Sequence, residues 1–193
     1  MFFRSWQNAY TKFPKCTQFY HYTLENSNES QDNESLEEFC ERISKNGAGA
    51  TLVIDDGLQL CEKNQNKTDE LFTRISHHLG VSIFMLVQNL FDPALRVISR
   101  NVGYIFLFQS PRDASQIRHL SYQIFPEKNK ARSMLEIFRI ITQKPYRAIL
   151  LDFKAETPSF ARLKGNFIGK ESATIYCVNG EKPPLEAINS TQI

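Results

Sequence analysis

The sequence predicts an α/β domain with a mostly parallel sheet and flanking helices. Three observations lead there. Apolar runs such as TLVI, VSIFMLV, YIFLF and RAILL proceed without polar alternation, as in strands buried on both faces. Segments of helical periodicity fall between them, in the order strand, helix, strand, loop, strand, helices, strand. The composition is globular, with 41% hydrophobic and 23% charged residues in 193, enough for one domain with a sizeable core.

The elements follow in chain order. Residues 1–13 are aromatic-rich and suit a short strand, whereas the acidic stretch from Glu25 offers nothing to bury and suits a loop. Leu36, Phe39, Cys40 and Ile43 recur at helical spacing, so a helix is expected over 35–45. Ser35 with Glu38 three positions on forms a capping box at its start, and Gly47 and Gly49 follow its end. A strand then runs into Asp55, Asp56 and Gly57, and a helix is expected over 68–79. Strands are expected over 81–87, 104–108 and 147–152, with helices over 113–125 and 130–142. Pro145 and Pro158 punctuate the chain.

Several function classes recede at this level. No apolar run approaches the ~18 residues of a membrane span, and the first residues, broken by Arg4 and Gln7, lack an apolar signal core. An intracellular protein without a membrane partner is the expectation. Cys16, Cys40, Cys61 and Cys177 form no CxxC pair and are expected to be reduced thiols. His77 and His78 are adjacent on a helix, point in different directions and make a poor chelate. The net charge of +2 hides an asymmetry: residues 1–95 hold 8 Lys+Arg and 13 Asp+Glu, net −5, and residues 96–193 hold 15 and 8, net +7. A basic half is compatible with a polyanionic partner and equally with an ordinary solvated surface.

The chemistry concentrates at the ends of the strands. In open parallel sheets ligands bind beyond the carboxyl ends. Three strands end there in polar residues: Asp55-Asp56, Gln88-Asn89 and Gln109-Ser110. An apolar strand ending in two acids is the Walker B pattern. The first acid holds Mg²⁺ and the second orients or deprotonates the attacking water. A glutamine at the tip of the next strand can reach a terminal phosphate or that water.

LVIDD, LFTRISHHLGVSIFMLVQNLF, RVISRN, YIFLFQSPRDASQI and HLSYQIFP, in that order, resemble the FtsK–HerA class of DNA-packaging ATPases, those of large DNA viruses and of Maverick/Polinton-type elements. The likeness covers about residues 50–153. It implies a partial RecA-like P-loop NTPase domain (the ASCE group) over residues 1–180, with a flexible tail over 181–193. By the same likeness Asp55 is the magnesium ligand, Asp56 the catalytic acid and Gln88 the sensor that also contacts nucleotide. Arg96 is then the arginine finger that reaches a neighbouring subunit, with Arg100 and Arg112 as rivals. The family's cofactors are Mg²⁺ and ATP. Its partners are double-stranded DNA and further copies of itself in a homo-oligomeric ring. Two positions depart from the pattern: Ile75 stands where relatives tend to have glycine, and Gly57 where they tend to have leucine.

One part of the family's machinery is missing from these residues. GxxxxGK[ST] does not occur, and KNGAGAT at 45–51 has its lysine before the glycines and leads into a strand. In the resembled family that loop lies upstream of the Walker B strand, which would place it before Met1. Losing three charge-assisted hydrogen bonds to phosphate costs on the order of 10⁴–10⁶ in affinity. The chain by itself is therefore expected to bind no ATP and to be inactive. The alternative expectation is a non-catalytic module for nucleic-acid binding or oligomerisation.

Overall fold

The computed structural model describes residues 35–44, 50–110, 112, 114–167 and 173–179. Residues 1–34, the glycines at 47 and 49 and the tail from 180 lie outside the described residues, and with them the expected N-terminal strand.

Helix α1 (Leu36–Ser44) begins as its capping box requires. The Ser35 amide donates to Glu38 Oε2 at 2.7 Å, and the Glu38 amide donates to Ser35 Oγ at 3.2 Å. Strand β1 (Ala50–Ile54) pairs in parallel with β2 (Val81–Met85), with Ile54 opposite Met85. The crossover between them is α2 (Gly57–Glu70), a π-helical turn (Leu71–Ile75) and α3 (Ser76–Leu79), closed by Gly80 at φ +62°. The sequence reading began this helix at Thr68. Residues 57–67 are mostly polar, with Leu60 and Cys61 as their buried side chains, and form a first segment that a kink at Asn64 divides from the helix visible in the sequence.

A 3₁₀ turn (Pro93–Leu95) and α4 (Ile98–Asn101) lead to β3 (Tyr104–Phe108). Helices α5 (Ala114–Ile124) and α6 (Lys128–Thr142) follow, then β4 (Ala148–Asp152), β5 (Leu163–Gly165) and β6 (Thr174–Ile175). These four strands form an antiparallel sheet in the order β3-β4-β5-β6. The fold is thus mixed α/β with one parallel pair and one larger antiparallel sheet, and the expectation of a mostly parallel sheet is corrected. The reason is β4. After α6 the chain re-enters beside β3 in the opposite direction, and Phe108 faces Ala148 while Tyr104 faces Asp152. Short β5 and β6 carry too little apolar pattern to be visible in the sequence.

The hydrophobic core has two parts. Around β1 and β2 it gathers Phe39, Cys40, Leu71, Phe72, Ile75 and Val81. Around β4 it gathers Ile117, Leu120, Met134, Phe138, Ile149 and Leu151. Ile75, where relatives of the resembled family tend to have glycine, is a core side chain. No helix among the described residues is long and apolar enough to cross a membrane.

A second correction concerns burial. Strand β4 is covered on both faces as expected, but β1, β2 and β3 alternate between covered and exposed residues. Val53, Phe84, Tyr104, Phe106 and Phe108 are all exposed. Apolar residues occupy both faces of these strands, so the sequence could not distinguish the covered face from the open one.

Among the described residues Cys40, Cys61 and Cys177 are free thiols. Burial, then the charge of Glu37, pushes the Cys40 thiol up to about 11. Burial, then Asp69 and Asp92, does the same to Cys61, also to about 11. Alkylation near pH 8 in native buffer should therefore leave both unmodified, because a buried thiol supplies little thiolate. Labelling in urea should reach both. Peptide mass spectrometry reads the outcome, and native labelling of Cys61 as fast as Cys177 would refute it.

Candidate functional site

The parallel pair positions the acids. Beyond the last strand residues the ladder continues: the Leu86 amide donates to Ile54 O at 2.8 Å, and the Gly57 amide donates to Leu86 O at 3.0 Å. These two bonds stitch the Asp55-Asp56 turn to the end of β2. Gln88 follows Met85 by three residues on that same end. Asp55, Asp56 and Gln88 therefore lie beyond the carboxyl ends of neighbouring parallel strands, and all three are exposed.

The turn has a particular local geometry. Asp56 is left-handed, at φ 51° and ψ 48°, a region that Asp, Asn and Gly enter more readily than other residues. Its amide donates to Asp55 Oδ1 at 3.1 Å. Asp56 occupies the N-cap position of α2, although its side chain makes no capping hydrogen bond. Both carboxylates thus stand at the positive end of the first segment of α2, which a kink at Asn64 (φ −142°, ψ 48°) separates from the rest of the helix. Gly57 packs against Met85: a Cβ there would lie 2.5 Å from Met85 Cγ and 2.8 Å from Met85 Sδ, so any larger residue must displace that side chain. A leucine here would clash with Met85 in its present rotamer.

The remaining sequence candidates are spread more loosely. Arg96 is exposed just after the 3₁₀ turn; its amide donates to Pro93 O, and its carbonyl accepts from Ser99 Oγ at 3.3 Å. Arg100 on α4 and Arg112 are exposed as well. Ser99 and Asn101, both within the resembling segment, serve the local backbone, since Asn101 Nδ2 donates to Val97 O at 2.9 Å. Asn89 and Asp92 do likewise, accepting from the amides of Phe91 and Ala94. The polar pair after β3, Gln109-Ser110, belongs to the antiparallel sheet, so the expected single row along one parallel sheet is limited to the ends of β1 and β2.

Hard carboxylate oxygens in an exposed turn suit Mg²⁺, which takes one or two carboxylates and completes its shell with water and phosphate. The donor set of Asp55 and Asp56 fits that ion. No cluster of three or more His, Cys, Asp or Glu side chains able to hold a metal occurs among the described residues, and His77 and His78 are exposed on α3. Sequence reasoning missed the role of Gly57. Its signal was present only as a small residue between an acid pair and a helix.

Fold and site together define a mixed α/β domain with an acidic turn at the carboxyl end of a parallel strand pair. No family model, no curated protein and no solved structure matches the chain.

Proposed function

We propose that this chain is the magnesium-side part of a nucleotide-hydrolysing motor of the FtsK–HerA packaging class. A full enzyme of that class would couple ATP hydrolysis to translocation of double-stranded DNA. The observation that carries the reading is the placement of Asp55, Asp56 and Gln88 beyond the same end of adjacent parallel strands. Asp55 would hold Mg²⁺ with water between them or directly. Asp56, at the end of its turn, would orient the attacking water, and Gln88 would contact that water or the terminal phosphate. Arg96 would serve a neighbouring subunit, where a fixed planar charge suits phosphate oxygens. ATP and its metal supply the leaving group and charge neutralisation when a phosphate-binding loop is provided by additional sequence.

The test is to read the coding sequence upstream of Met1 for an in-frame GxxxxGK[ST], express that longer chain and measure phosphate release from Mg-ATP. Turnover should fall at least a hundredfold in Asp56→Asn. Asparagine tolerates the left-handed backbone, so the change isolates the charge. The 193-residue chain should show no turnover. Turnover unaffected by Asp56→Asn in the longer chain, or an upstream reading frame without that motif, would end the proposal.

A further inference from the structure

The open face of the two sheets is an aromatic surface. Tyr104, Phe106 and Phe108 alternate along β3 and are 43%, 39% and 56% exposed. Phe84 of β2 is 50% exposed, and its ring centroid lies 6.5 Å from that of Phe106. Phe84 and Phe106 thus bring one exposed ring of the parallel pair beside one of the antiparallel sheet. Phe167 packs against Phe106 from another direction, at 5.4 Å.

Cations accompany these rings. Lys154 Nζ stands 5.2 Å from the Tyr104 centroid. At the other end of β3, Phe108 and Gln109 share a shallow cleft with Lys144, Tyr146 and Arg147. Tyr146 is 92% exposed and has φ +62°, a conformation that bulky residues adopt only at a cost. Acidic groups beside the rings are neutralised: Asp152 is buried and bonded to Lys164 at 2.6 Å, and Glu156 lies 3.8 Å from Lys154. The half of the chain that contains β3 to β6 carries the net +7.

We propose that this face binds single-stranded nucleic acid, with bases stacking on Phe84, Phe108 and Tyr146 and phosphates meeting Lys144 and Arg147. Rings with cations beside them are the combination that takes a flexible polyanion with flat bases. An unstacked strand can offer its bases to separate rings, whereas a duplex has no free base faces along its length. Recognition of this kind tolerates many sequences because every base has a flat face. The site uses neither Asp55 nor Asp56 and stands apart from the hydrolytic reading.

Fluorescence anisotropy with labelled oligothymidine of about 16 nucleotides, against a duplex of equal length, tests it. The single strand should bind at least tenfold more tightly than the duplex at the same salt. Phe108→Ala and Tyr146→Ala should each weaken binding about tenfold, with unchanged far-UV circular dichroism. Lys144→Glu should weaken it and reduce its salt dependence, whereas Asp55→Asn should leave it unchanged. Equal affinity for both probes with no effect of the aromatic changes would reduce the face to a basic surface and overturn the proposal. No binding to oligothymidine would overturn it too. So would a dimer in light scattering that Phe84→Ser dissociates, since the face would then be an interface between copies.

Discussion

Lys164→Ala should lower the stability of this protein by about 2–3 kcal/mol at neutral pH and its melting temperature by roughly 5–10 °C. Asp152 ends β4 with its side chain 3% exposed, and Lys164 Nζ reaches Oδ2 at 2.6 Å from the neighbouring strand β5. Burial alone would raise the Asp152 pKa. Hydrogen bonds from Lys164, the Lys154 amide and Thr157 outweigh it and hold the carboxyl below its ordinary range. The depressed value means that the folded state favours the ionised acid. Its contribution is fully present above the unfolded value of about 3.9 and is lost as pH falls through the folded one. Wild type should therefore lose stability from this pair only in strong acid.

The variant should respond less to acid. Without the lysine, burial is opposed only by the Lys154 amide and Thr157, so the Asp152 pKa rises from its wild-type position. Acidification should then cost the variant less than wild type and narrow the gap between them, because the neutral acid is cheaper to bury. Urea titrations of both proteins across pH 4–7 read both effects. A Lys164→Ala protein as stable as wild type, or one whose stability falls with acidification in parallel to it, would show that the pair does not hold β4 to β5.

Gly57→Leu should cost about 3 kcal/mol, at the upper end for overpacking. The clash begins at Cβ, 2.5 Å from Met85 Cγ, an atom that moves only if Met85 changes its χ1 rotamer. Relief requires a new Met85 rotamer or a shift of α2 away from β2, and the shift breaks the bond from the Gly57 amide to Leu86 O. The double variant Gly57→Leu/Met85→Ala should recover more than half of the loss, an interaction that separates the clash from any helix effect. Denaturant midpoints for the four proteins of this cycle decide it. Equal cost with and without Met85 would place the origin elsewhere.

Much of this fold was legible because its signals are local. The Ser35–Glu38 capping box, the long amphipathic stripe of α6 and the runs of β1 to β4 each depend on neighbours within a few residues. The direction of β4 was not legible. Parallel or antiparallel pairing depends on how the chain returns after α6, and AILLD reads identically in both. The exposure of Phe84 and Phe106 was hidden for a related reason, since an apolar residue at the surface has the same letter as one in the core. At the candidate site the acid pair and Gln88 were visible as residues at strand ends. Their common end follows from the parallel pairing of β1 with β2, which the continuous apolar runs had implied. The packing role of Gly57 was invisible, because its partner Met85 lies 28 positions along the chain.

The twist of the backbone at Asp56 limits what can replace it. A left-handed residue with a Cβ is comfortable only when its side chain is short and polar. Glutamate, chemically the same acid one methylene longer, would enter this bend at a disadvantage and carry its charge farther from the strand tips. Among the two amino acids able to supply a carboxylate, the shape of the chain itself selects the shorter one, before any demand of catalysis is considered.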